Sequence, residues 1–81
     1  MSVQERSLCE LRVGDTAEVS RIETPDGPDA QRLLTLGLCP GAQFRVEQTY
    51  PAVVVGLAGG VVAMEDSVAR SVYVRPVRSA L

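Results

Sequence analysis

Residues 28–42 read PDAQRLLTLGLCPGA, and this stretch decides the fold. Asp29 stands where a helix N-cap belongs, just before a run of good helix formers over 30–36, AQRLLTL. Leu33 and Leu36 share one helical face, with Leu34 on its flank. Gly37 follows at once and suits the left-handed C′ position that ends a helix. Pro40-Gly41 then fits the two central positions of a type II turn, where glycine accepts a positive φ. The spacing therefore predicts a short helix with a start, a stop and a chain reversal. So short a helix is unstable alone in water and has to dock on other structure.

The flanking segments supply that structure as strands. Upstream, Leu8 and Leu11 are spaced like neighbours on one helical turn, which predicts a short 3₁₀ segment plugging one end of a barrel. Gly14-Asp15 reads as a turn. Residues 16–23, TAEVSRIE, form a first strand with Ala17 and Val19 facing inward. Ile22 falls on the opposite parity, so a β-bulge near Ser20 or Arg21 is expected to restore the register. The breaker cluster Thr24-Pro25-Asp26-Gly27-Pro28 separates this strand from the helix.

Downstream, residues 43–50, QFRVEQTY, alternate with Phe44, Val46 and Tyr50 on one face. Residues 52–58, AVVVGLA, form a third strand that is apolar on both faces, and Gly59-Gly60 supplies a hairpin turn. Residues 61–65 return as a fourth strand. Asp66 caps a single helical turn over 67–70 that lays Val68 or Ala69 on the barrel. Residues 71–75 form a fifth strand with Val72 and Val74 inward and Tyr73 outward beside Arg75. Pro76 ends the pairing, and the tail over 77–81 frays. The expected fold is all-β: a small SH3-like barrel of about five antiparallel strands with one short helix and one helical turn. The expected organisation is one domain over residues 1–81 with its core in 8–75.

Composition narrows the function. Of 81 residues, 46% are hydrophobic, enough for an ordinary core and too many for disorder. No apolar run approaches the ~20 residues that span a bilayer, and no basic-then-apolar leader opens the chain. A cytoplasmic protein without membrane insertion is expected. The sequence has no His, and its eight basic residues are all Arg. The commonest general base and metal ligand is thus missing, as are the lysines of Schiff-base and P-loop chemistry. An enzyme is not expected. The net charge of −2 argues against nucleic acid as a partner. Cys9 and Cys39 form no CxxC pair and are expected to be reduced thiols, buried or partly buried. Glu65, Asp66, Asp26 and Asp29 read as caps and turn residues, so no metal site is assigned.

Leu8-x-x-Leu11-x-x-Gly14-Asp15-x-Ala17-x-Val19 resembles the opening of FeoA domains, and Arg32-Leu33-x-x-Leu36-Gly37-Leu38-x-Pro40-Gly41 resembles their central signature. Pro51, Val62-Ala63-Met64, Ala69 and Val72-x-Val74 fit as well, so the likeness runs from residue 8 to 74. The resemblance implies an SH3-like barrel that acts without catalysis, as an accessory of bacterial ferrous-iron uptake. The implied partner is the cytosolic domain of FeoB, a membrane GTPase. Related domains end iron-dependent transcriptional regulators, but no helix-turn-helix precedes the barrel here, so that architecture is not expected.

Two readings of the central element stand side by side. In the structural one, Leu33 and Leu36 bury, Gly37 stops the helix and Pro40-Gly41 turns the chain. In the functional one, helix and turn make a partner-binding edge with Arg32, Leu36, Leu38 and Tyr50 as its contacts; Arg is enriched at binding hot spots. Tyr50 suits either the barrel rim or an exposed grip on a peptide. Two alternatives to the docking module remain. One is a nucleic-acid-binding SH3- or OB-like module, which needs a basic track and stacking aromatics. The other is a weak Fe²⁺-binding chaperone using Cys9 and Cys39.

Overall fold

A computed structural model describes residues 5–23 and 26–77. Its strands are β1 (Arg6–Ser7), β2 (Thr16–Ile22), β3 (Gln43–Gln48), β4 (Val53–Leu57), β5 (Gly60–Met64) and β6 (Val72–Pro76), with helices α1 (Pro28–Thr35) and α2 (Asp66–Ala69) and a 3₁₀ turn over Leu8–Glu10. The strands form one antiparallel sheet in the order β1-β6-β2-β3-β4-β5, an SH3-like barrel. The sequence reading missed β1. It carries no apolar pattern and is held by its pairing, Arg6 opposite Val74 and Ser7 opposite Tyr73.

The bulge expected in β2 is present. Its register against β6 shifts between Val19 and Arg21, which turns Ile22 inward with Ala17 and Val19. A second shift, in β3 between Val46 and Gln48, was not anticipated. It ends the alternation after Phe44 and Val46, so Tyr50 leaves the inner face and is 86% exposed. The core is almost wholly aliphatic. Leu8, Leu38, Val19, Val46, Val55, Val72 and Val74 are its largest fully buried side chains, and among the described residues no polar side chain is buried.

Several local expectations are corrected. Asp29 is not the N-cap: α1 opens one residue earlier, with Gly27 as cap and Pro28 in the first turn. Proline's fixed φ suits the first helical position, where its missing N–H removes no helix bond. Asp66 likewise lies inside the first turn of α2, behind Glu65 as N-cap. Ala69 is the residue of α2 that packs on the core. The β4–β5 hairpin turns through Ala58-Gly59, and Gly60 pairs with Leu57. Pro76 is still paired, opposite Ala17. Among the described residues β1 reaches Val74 and no farther, so no ladder bond on that flank involves the proline. Thr24, Pro25 and the fraying expected over 78–81 lie outside the described residues.

Side chains seal the N-terminal edge. Ser7 Oγ donates toward the carbonyls of Arg70 (3.1 Å) and Ala69 (3.3 Å) at the end of α2. Arg21 lies 4.1 Å over the Tyr73 ring and pairs with Glu5 at 3.1 Å. The Ser20 hydroxyl also donates to Glu5; this bond, followed by Arg21, holds the Glu5 carboxyl below its ordinary range.

Candidate functional site

The exit of α1 builds the candidate surface. Leu36 is the C-cap, and its N–H reaches the Arg32 and Leu33 carbonyls at 3.1 Å each. Gly37 adopts φ +100°, its N–H donates to the Leu34 carbonyl (3.1 Å), and the Leu38 N–H donates to the Leu33 carbonyl (2.9 Å). This is a Schellman motif, which satisfies helix-end carbonyls and brings the residue after the glycine back onto the helix. The Cys39 carbonyl then accepts from the Ala42 N–H at 2.9 Å across Pro40-Gly41, with Gly41 at φ +91°. That is the type II turn read from the sequence.

The motif sorts the leucines differently from the sequence reading. The inward face of α1 is Ala30 and Leu33, both 3% exposed, and Leu38 completes it at 0%. Leu38 is therefore corrected from a partner contact to a core side chain, because the Schellman reversal drives it inward against Leu33. Leu36, expected to bury with Leu33, is 47% exposed. With Leu38 filling the core beyond the last turn, the C-cap side chain is left facing outward.

Leu36 and Gly37 face the β4–β5 hairpin across a groove of about 450 Å³ that Leu57 and Val61 also line. Val61 is 69% exposed. Helix and hairpin approach so closely that a β-carbon on Gly37 would sit 3.8 Å from Leu57 Cδ1. One turn back along α1, Arg32 and Asp29 face Ala63 and Glu65 across a smaller cleft of about 180 Å³. Arg32 is exposed and makes no ion pair among the described residues; the ion pairs there are Arg21–Glu5, Arg70–Asp66 and Arg75–Glu18. The structure thus places Leu36 at the groove and Arg32 at the neighbouring cleft one helical turn away, and it adds to the groove Leu57 and Val61, which the sequence reading did not select. Their signal was available: residues 48–64 contain no charged side chain.

Tyr50 does not join them. It sits in the β3–β4 connection, at the opposite end of β4 from the hairpin, about 17 Å away at strand rise. The Gln48 side-chain amide pins that connection by donating to the Ala52 carbonyl at 3.2 Å.

The pieces of the alternative readings are dispersed. Phe44 is buried, Tyr73 is covered by Arg21, and Tyr50 stands alone, so the three aromatics form no stacking track. Cys9 is half-buried with Sγ 3.2 Å from Ser7 Oγ. Cys39, expected to be at least partly buried, is exposed in the turn after α1 because Leu38 takes the inward position. Among the described residues, no three His, Cys, Asp or Glu side chains are grouped to hold a metal ion, and no helix is long and apolar enough to cross a membrane.

Comparison with known proteins agrees with this picture. The model of the FeoA domain family matches residues 6–76. The crystal structure of an iron uptake regulatory protein, FeoA, superposes with a TM-score of 0.77 at 28% identity, covering 90% of this chain and 97% of the other. The solution structure of the FeoA protein from Chlorobium tepidum gives 0.78 at 29% identity, over 93% of this chain and 73% of that one. T. acidophilum IdeR gives 0.82 at 26% identity; 95% of this chain covers 36% of that longer one. No curated protein sequence matches the chain.

Proposed function

Because the chain belongs to the FeoA domain family, we propose that it is a non-enzymatic, single-domain cytoplasmic accessory of ferrous-iron uptake that docks on the cytosolic domain of a FeoB-like membrane GTPase. The observation that carries the docking reading is the exit of α1. There, Leu36 and Val61 hold apolar surface in water, and one helical turn back Arg32 is exposed with no ion pair among the described residues. Exposed apolar surface marks a candidate contact area, and arginine is enriched at binding hot spots. Catalysis by a histidine base or a lysine nucleophile lacks its residue types, with no histidine and no lysine in the chain.

Docking of this kind acts by differential affinity. It shifts the transporter's assembly or nucleotide cycle only if the barrel binds one state of the GTPase better than another. The test is titration calorimetry of the full chain against the GTPase cytosolic domain with no nucleotide, with GDP and with a non-hydrolysable GTP analogue. Binding in at least one state, weakened by Leu36→Ala and by Arg32→Ala, is the expected result. Absence of binding in all three states removes the reading.

A further inference from the structure

The sheet order ends on β5 among the described residues, and this strand pairs there with β4 alone. Among the described residues, no backbone hydrogen bond runs from β5 to any turn, loop or cap. The two-residue loop makes Leu57 and Gly60 the bonded pair closing the hairpin. Alternation along an antiparallel ladder then turns the N–H and C=O groups of Val61 and Ala63 away from β4, toward the open edge. Soluble proteins usually guard such an edge with charge, proline, a bulge, extreme shortness or a covering helix or loop. Among the described residues the opposite edge is guarded by shortness, since β1 spans two residues there. β5 itself lacks the sequence devices: GVVAM is five residues long, neutral and free of proline, and it runs against β4 without a register shift, so its cover is left to α1.

α1 stands across from this edge and leaves the two clefts already described, the apolar one at Leu36 and the charged one at Arg32. A row of unpaired edge amides is satisfied in full by one kind of occupant, an extended polypeptide backbone. The charges say which kind of backbone. At the Glu65 end, Asp29 and Glu65 have no ion-pair partner among the described residues, so that end carries two carboxylates against the single guanidinium of Arg32. At the Leu36 end the walls are uncharged. A second copy of β5 laid antiparallel would bring only Gly59 and Gly60 to the acidic end and leave its excess charge unanswered.

We infer that the edge of β5 facing α1 receives an extended segment of the partner protein by strand addition, aliphatic where it meets Leu36 and Val61 and basic where it meets Asp29 and Glu65. The inference rests on the docking reading above and names its surface. For an antiparallel strand the basic residue comes first in the segment, because β5 runs toward Glu65.

The test uses the acetylated, amidated heptapeptide Arg-Thr-Val-Thr-Val-Thr-Val, followed by amide NMR of the full chain. The expected result is perturbation confined to residues 60–65 and α1. Binding should weaken at least about tenfold when the peptide amides facing the edge are N-methylated, and again when its Arg is replaced by Glu. On the protein side, Ala63→Pro removes an N–H that β4 does not use, and Val61→Lys puts a guarding charge on an exposed position; each should abolish binding. If Ala63→Pro does not fold, Val61→Lys decides. Equal binding of the N-methylated peptide, perturbation elsewhere, or self-association through β5 with no peptide effect overturns the inference. The GTPase cytosolic domain is then titrated in the same spectra. Binding that leaves β5 unmoved overturns the strand-addition site and spares the docking reading. Peptide binding at β5 without any binding of the GTPase domain supports the edge site and removes the GTPase as its partner.

Discussion

Leu36 and Leu38 are two residues apart, chemically identical and opposite in role, so truncating each to alanine tests the helix-exit geometry directly. Leu38 is 0% exposed and packs in the core cluster with Leu33. Removing a fully buried leucine costs its transfer free energy plus a cavity term, about 3 kcal/mol or more. Leu36 is 47% exposed, so it keeps roughly half its surface in water. Its truncation should cost about 1 kcal/mol or less, half the value of full burial. A domain of 81 residues has a total stability of roughly 4–12 kcal/mol, so Leu38→Ala removes a large part of it. With an m-value of about 1 kcal/mol/M in urea, the midpoint should fall by about 3 M for Leu38→Ala and by about 1 M at most for Leu36→Ala. Urea titration followed by far-ultraviolet circular dichroism reads both shifts. The functional readout runs the other way: Leu36→Ala weakens partner binding while the fold persists. If Leu38→Ala cost less than Leu36→Ala, the Schellman reversal that carries Leu38 inward would be wrong, and the surface built on it with it.

The remaining predictions concern the supports of that surface. Gly37→Ala should lose about 1–2 kcal/mol in the same titration, because φ +100° is costly for any residue with a β-carbon while the nearest atom, 3.8 Å away, imposes no clash. Tyr50→Ala should leave stability within about 0.5 kcal/mol and leave groove binding unchanged, since the ring is 86% exposed and at the far end of β4. The Glu5 carboxyl, followed by carbon-detected NMR, should titrate below the usual glutamate midpoint of about 4.3. Because its folded-state pKa is depressed, its contribution to holding β1 is complete above the ordinary carboxylate range and disappears as pH falls through the folded value. Amide exchange at Arg6 and Ser7 should accelerate over that interval, and Ser20→Ala should move the Glu5 midpoint upward.

Much of the barrel was legible because its signals are local. Gly37 and Pro40-Gly41 announce the helix stop and the turn through backbone φ alone. The bulge in β2 was legible from Ile22, an aliphatic residue on the wrong parity that only an extra residue brings inside. The bulge in β3 had no such marker: Tyr50 continued the parity of Phe44 and Val46, and an amphipathic ring suits either side of a rim. β1 was illegible because two polar residues carry no period, and their strand exists through its partner, β6. Of the four proposed contacts, Leu36 lines the groove, Arg32 the neighbouring cleft one turn back, Tyr50 stands apart and Leu38 is core.

The amino-acid order by itself determined the all-β class, the capped helix and its stop, and the absence of histidine and lysine chemistry. Each of these depends on a residue's own conformational preference or its own functional group. Only the tertiary structure decided which leucine meets solvent, that Val61 lies opposite Leu36, and that β5 ends the order of the described strands. Those facts depend on strand order and on the direction of a helix exit, and both are set by the packing of the whole core around Leu38 rather than by any short run of residues.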